Sequence, residues 1–93
     1  MIEACRRIAE RWWVMQIGGE VVLEYGIHEG FLAIFPTPAL QQHRIAFGLK
    51  SKRIYERDFK GSGLRVKWPA HEPHVCRWAE WLGVRRQGDW AVL

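Results

Sequence analysis

Pro38-Ala39-Leu40-Gln41-Gln42-His43-Arg44-Ile45-Ala46-Phe47-Gly48-Leu49 joins a continuously apolar run, residues 31–35, to a stretch with helical spacing. An unbroken apolar run of that length suits a strand covered on both faces. Pro36-Thr37-Pro38 stops it, and Thr37-Pro38 is also a good helix opening: a hydroxyl that can cap, then a proline whose missing donor costs nothing there. Leu40, Phe47, Ile54 and Phe59 line one face of a helix running to about residue 58. Gly48 and Ser51 weaken that helix midway, so a break near Lys50 is allowed for. Beyond it Leu64, Val66 and Trp68 alternate with Arg65 and Lys67, as a strand closed by Pro69 should. A strand, a crossover helix and a second strand make a parallel, right-handed pair.

Working outward, residues 2–10 have the spacing of a short amphipathic helix, and residues 11–17 turn β-like. Gly18-Gly19 signals a two-residue hairpin. Val21, Leu23, Tyr25 and Ile27 then alternate with Glu24, Gly26 and His28, and Glu29-Gly30 makes the next turn. Downstream, Lys60-Gly61-Ser62-Gly63 is a loop. A helix runs from Glu72 or Pro73 to Leu82, with Val75, Trp78, Ala79 and Leu82 inward and Gly83 as its stop. Residues 84–93 form a last strand, broken near Gly88-Asp89. The order is α-β-β-β-α-β-α-β. It predicts an α+β fold: a mixed, mainly antiparallel sheet with helices packed on it.

Ninety-three residues make one domain, 1–93, and 48% apolar content allows a core without disulfides or a structural metal. Cys5 and Cys76 are a poor disulfide framework, the start does not read as a signal peptide, and no apolar run approaches a membrane helix. An intracellular protein is the expectation. The net charge of +4 is uneven: Lys50, Lys52, Arg53, Arg57, Lys60, Arg65 and Lys67 outweigh Glu56 and Asp58, so that this segment carries +5 and the rest −1. Such a cluster fits an anionic partner, or cations gathered where a helix C-terminus favours them.

The residues around Arg44 resemble the coenzyme A loop of the GNAT acyltransferases, [RQ]-x-x-G-x-[GA], with Gln41 and Ala46 in place and Arg44 where the first glycine belongs. Ala79-Glu80-Trp81-Leu82-Gly83-Val84 is similar to the Y-E-K-L-G-F stretch that ends the family's next helix. The resemblance covers residues 11–93; what precedes is too short for the family's usual first strand and helix pair. It implies a sheet whose third and fourth strands hold pantetheine between them. The loop Gln41, Gln42, His43, Arg44, Ile45 and Ala46 would then bind pyrophosphate at a helix N-terminus. The family's loop glycine lets main chain approach the diphosphate; Arg44 either blocks that approach or substitutes a guanidinium. The family's acid tyrosine falls on Ala79. Glu24 and Glu29 are the carboxylates near the right strands to take a proton. The chain is similar to small GNAT-like proteins of tailed phages, which implies a virion or host-cytoplasm setting and a role in protein contact.

His71-Glu72-Pro73-His74-Val75-Cys76 invites a metal reading, but no second cluster supplies the remaining ligands, and no metal is expected. Of six tryptophans, Trp13, Trp68 and Trp78 fall inward; Trp12 and Trp81 fall on opposite faces and are candidate partner anchors, with Lys50, Lys52, Arg53 and Arg57 beside them. The expectation from sequence is a domain whose cofactor loop is eroded, with no cofactor, acting through a protein partner or as a homo-oligomer. The alternatives are an acetyl-CoA-dependent N-acyltransferase and a basic nucleic-acid-binding module.

Overall fold

The computed structural model describes residues 2–93. Helix α1 (Ile2–Ile8) leads into three antiparallel strands, β1 (Arg11–Ile17), β2 (Glu20–His28) and β3 (Phe31–Pro36). A 3-10 turn (Pro38–His43), helix α2 (Arg44–Ile54) and a π turn (Tyr55–Phe59) then cross over to β4 (Arg65–Lys67). Helix α3 (Pro73–Leu82) and a hairpin of β5 (Arg85–Gln87) and β6 (Trp90–Val92) complete the chain. The six strands form one sheet in the order β1-β2-β3-β4-β6-β5, antiparallel throughout except for β3 against β4. The expected α+β class with a mixed, mainly antiparallel sheet holds.

One local expectation is corrected and another is sharpened. The crossover helix does not break near Lys50: α2 runs through Gly48 and Ser51 because Ser51 turns its hydroxyl back on the Gly48 carbonyl (3.0 Å) and is buried. The irregularity falls later, where Lys60 donates to the Tyr55 carbonyl and widens the last turn into a π turn. That widening leaves both Tyr55 and Phe59 buried. The break expected near Gly88-Asp89 is there, and it is a reversal that makes two strands, since Gly88 supplies the positive φ that a tight turn needs.

The sheet faces are divided by the β alternation. Trp13 stacks on Tyr25 (5.2 Å), and both meet Phe59 edge-on, so this face carries the crossover segment. Phe47, Tyr55 and Phe59 join Met15, Leu23, Tyr25 and Trp68 in the core. Burying each of these side chains contributes about 1.5–3 kcal/mol. The opposite face carries Trp12, which lies 5.8 Å from Phe35, and Glu24, which holds α1 through Arg6. α3 packs beside α2, with Phe47 and Trp78 5.4 Å apart. Gly83 caps α3 in the left-handed region (φ 95°), with its N–H on the Glu80 carbonyl and that of Val84 on Ala79, which is why the helix stops there.

Candidate functional site

The parallel pair is joined at one end only. Phe31 stands opposite Arg65, and Arg65 N–H donates to the Gly30 carbonyl (2.9 Å). Past that point β3 continues against β2 as far as Pro36, whereas β4 ends at Lys67. The strands part, and the gap opens into a larger cavity of about 1470 Å³ whose lining reaches as far as Leu23, Met15 and Cys5. One wall is β3 from Leu32 onward, the other β4 with Trp68 and Pro69, and α2 and α3 close the sides with Phe47, Trp78 and Ala79. Its surface is mainly apolar, as the strand and helix residues that line it require. Alternate N–H and C=O groups of β3 point away from β2 towards the gap, where β4 no longer meets them.

The rim is the quoted stretch. Thr37 fixes its start: its hydroxyl donates to the Val21 carbonyl (2.5 Å) and its N–H to Val22 (3.0 Å). Gln41, Gln42 and His43 lie in the 3-10 turn, Arg44, Ile45 and Ala46 in the first turn of α2, and all six line the cleft. His43 is held against the first hairpin by Glu20 (Nε2 to Oε1, 3.0 Å) and by contact with Gly18, where an added Cβ would come within 3.2 Å of Cε1. Arg44 is exposed and makes no hydrogen bond or ion pair among the described residues. A free guanidinium at a helix N-terminus beside an apolar gap is suited to an anionic group on an extended ligand.

The carboxylates singled out from sequence are elsewhere. Glu24 lies on the α1 face, with Arg6 on both oxygens (2.6 and 2.7 Å) and the Trp12 indole N–H at 3.2 Å. The hydrogen bond from Arg6 holds its carboxyl below the usual range. Glu29 is the first residue of the second hairpin turn, in the left-handed region at φ 48°, with its N–H on Glu10. Neither lines the cleft. Side chains there that carry polar chemistry include Tyr25 and Tyr55, neither singled out beforehand as chemical, and Glu72 and His74, weighed from sequence only as metal ligands. Burial, followed by the charge of Asp58, raises the Tyr25 phenol. The sequence pattern does not set either tyrosine apart, because each sits on an apolar face where phenylalanine would pack equally well.

No family model matches the chain, and no curated protein or solved structure is significantly similar to it.

Of the expected partner anchors, Trp81 is 48% exposed and carries Lys52 over its ring at 4.5 Å. Ile45 and Leu49 are also exposed, and helical arithmetic puts them on the side of α2 that bears Gly48 and Lys52. Trp12 is half-buried and bonded to Glu24, so the sheet alternation turns it to the α1 face, away from Trp81. Arg57 pairs with its neighbour Asp58 (2.8 Å), while Lys50 reaches the Gln16 carbonyl (3.1 Å). The basic segment is therefore divided over several surfaces. Among the described residues no three His, Cys, Asp or Glu side chains come together as a metal set, and Cys76 Sγ sits 3.2 Å from the Pro69 carbonyl. Among those residues no helix is long and apolar enough to cross a membrane.

Proposed function

We propose that the cleft between β3 and β4 binds an extended, phosphate-bearing thioester cofactor of the coenzyme A type. The observation that carries this reading is the gap itself: two parallel strands meet at Phe31 and Arg65 and then part, with the cleft opening between them. A pantetheine arm has the right chemistry for it, with amides that can pair with the free edge of β3 and an aliphatic body for the apolar walls. Arg44 takes a phosphate at the rim, with a side chain doing what main chain does in the GNAT loop it resembles.

Binding is proposed; transfer is not. Ala79 stands where the resemblance puts an acid tyrosine, and Glu24 and Glu29 lie outside the cleft. Titration calorimetry with acetyl-CoA and with free CoA tests the reading. Micromolar binding that weakens at least tenfold in Arg44→Glu supports it. Heat indistinguishable from dilution at about 1 mM ligand removes it.

A second reading, protein contact, has its own observation in Trp81, Ile45 and Leu49, three exposed apolar side chains, with Lys52 lying over the Trp81 ring. It is the role that the resemblance to phage GNAT-like proteins implies. A pull-down lost in Trp81→Ser but kept in Arg44→Glu separates it from cofactor binding.

A further inference from the structure

The two edges of the sheet are built differently. β5 ends it on one side with three residues, all exposed, two of them arginines. Shortness and charge are common ways in which a sheet edge is kept from pairing with another chain. β1 ends it on the other side with seven residues, Arg-Trp-Trp-Val-Met-Gln-Ile, and has neither device. Its only charge is the terminal Arg11, it contains no proline, and Val14 at its midpoint is 49% exposed. Among the described residues no strand runs along its outer side. Alternate N–H and C=O groups of β1 therefore face outward without a ladder partner.

Two further details keep this edge usable. The register slips between Met15, opposite Leu23, and Gln16, opposite Val21, so the extra residue is Val22 on β2 and β1 itself stays regular. Lys50 reaches a β1 carbonyl only at Gln16, near the strand end, which leaves the middle open. Helix α1 is tied to β2 through Arg6 and Glu24, not to the edge of β1.

We propose that β1 pairs antiparallel with β1 of a second copy of this chain, across a two-fold axis at Val14. Centring there pairs all seven residues, with Lys50 giving up the Gln16 carbonyl to the partner strand. Arg11 then faces Ile17, Trp12 faces Gln16, Trp13 faces Met15, and Val14 faces itself. No charge meets a like charge, each tryptophan meets a long uncharged side chain, and the β-branched Val14 meets itself. Trp13 and Met15 lie on the face that carries the core, so the two aromatic layers run on from one copy to the other. At β5 the same operation, centred on Arg86, sets two arginines opposite each other, which is the repulsion expected of a protected edge. This pairing is independent of what the cleft binds.

Sedimentation equilibrium on the full chain up to about 1 mM tests self-association. A monomer–dimer equilibrium is expected, weakened at least tenfold in Val14→Lys, which faces two ammonium groups at the axis while circular dichroism stays unchanged. Oxidation of Val14→Cys is expected to give a covalent dimer above the background of Cys5 and Cys76. Gln16→Cys is not, because its two thiols stand four residues, about 14 Å, apart. A protein monomeric over the whole range, a dimer indifferent to Val14→Lys, or equal cross-linking at both positions overturns the proposal.

Discussion

The indole nitrogen of Trp78, on α3, lies 3.0 Å from Ser51 Oγ, on α2, and Ser51 passes the bond on to the Gly48 carbonyl at 3.0 Å. This two-step link fixes the helices that close the cleft, with Phe47 packed on the Trp78 ring beside it. Ser51→Ala leaves the half-buried indole N–H without its partner, at an expected cost of about 1–3 kcal/mol. Trp78→Phe removes the donor instead. Denaturant melts of the two single variants and the double should show a coupling energy; additive losses would mean that the bond contributes nothing of its own.

Gly26 fits because Trp12 lies flat across it. A Cβ there would stand 2.3 Å from Trp12 Cε3 and 2.9 Å from the Arg11 carbonyl oxygen, closer than atoms tolerate. Gly26→Ala should destabilise the fold by about 1–3 kcal/mol or more, the usual range for overpacking. Trp12→Leu in the same chain should recover part of that loss and no more, since the Arg11 carbonyl belongs to main chain and cannot step aside. Full recovery in a thermal melt would place the whole conflict on the indole.

How far the chain could be read in advance follows from which signals are local. Gly18-Gly19, Glu29-Gly30 and the β2 alternation are short-range chemistry, and the first three strands are where they say. Gly83 likewise marks the end of α3. The π turn at Tyr55 was not legible, because it depends on Lys60 reaching back to a carbonyl that a standard helix would pair otherwise. The parting of β3 from β4 is also non-local. It arises because β4 is three residues long while β3 is held by β2 as far as Pro36, a difference that no single segment encodes. The cleft rim came through as a motif; its tyrosines did not, since a buried Tyr25 and a buried Phe obey the same apolar pattern.

Glu29 occupies a backbone region that disfavours a side chain with a Cβ, at a cost of roughly 1 kcal/mol. Its place in a two-residue hairpin turn with Gly30 explains why it is there. Glu29→Asn, better suited to that turn, should raise stability by about 0.5 kcal/mol and leave ligand binding in the cleft untouched. A loss of any acyl-transfer activity in this variant would restore Glu29 as a chemical residue and contradict its distance from the cleft.

Glu24 makes the stability of the α1 face depend on pH. Arg6 grips both of its oxygens through three hydrogen bonds and Trp12 donates a fourth, and the carboxyl is held below its ordinary value of 4.5. The folded state therefore binds the proton less readily than the unfolded one, so acid favours unfolding. The contribution is fully present above about pH 5, begins to fade as the pH falls past the ordinary value, and is lost as it passes the lower folded one. Glu24→Gln should cost about 1 kcal/mol at neutral pH, a modest figure because Arg6 is half exposed and water competes for it. It should also flatten the acid limb of a plot of melting temperature against pH, with the two proteins converging once the pH is below the lowered folded value. Curves that stay parallel down to that pH would show that the ion pair contributes no net stability and that α1 is held by packing alone.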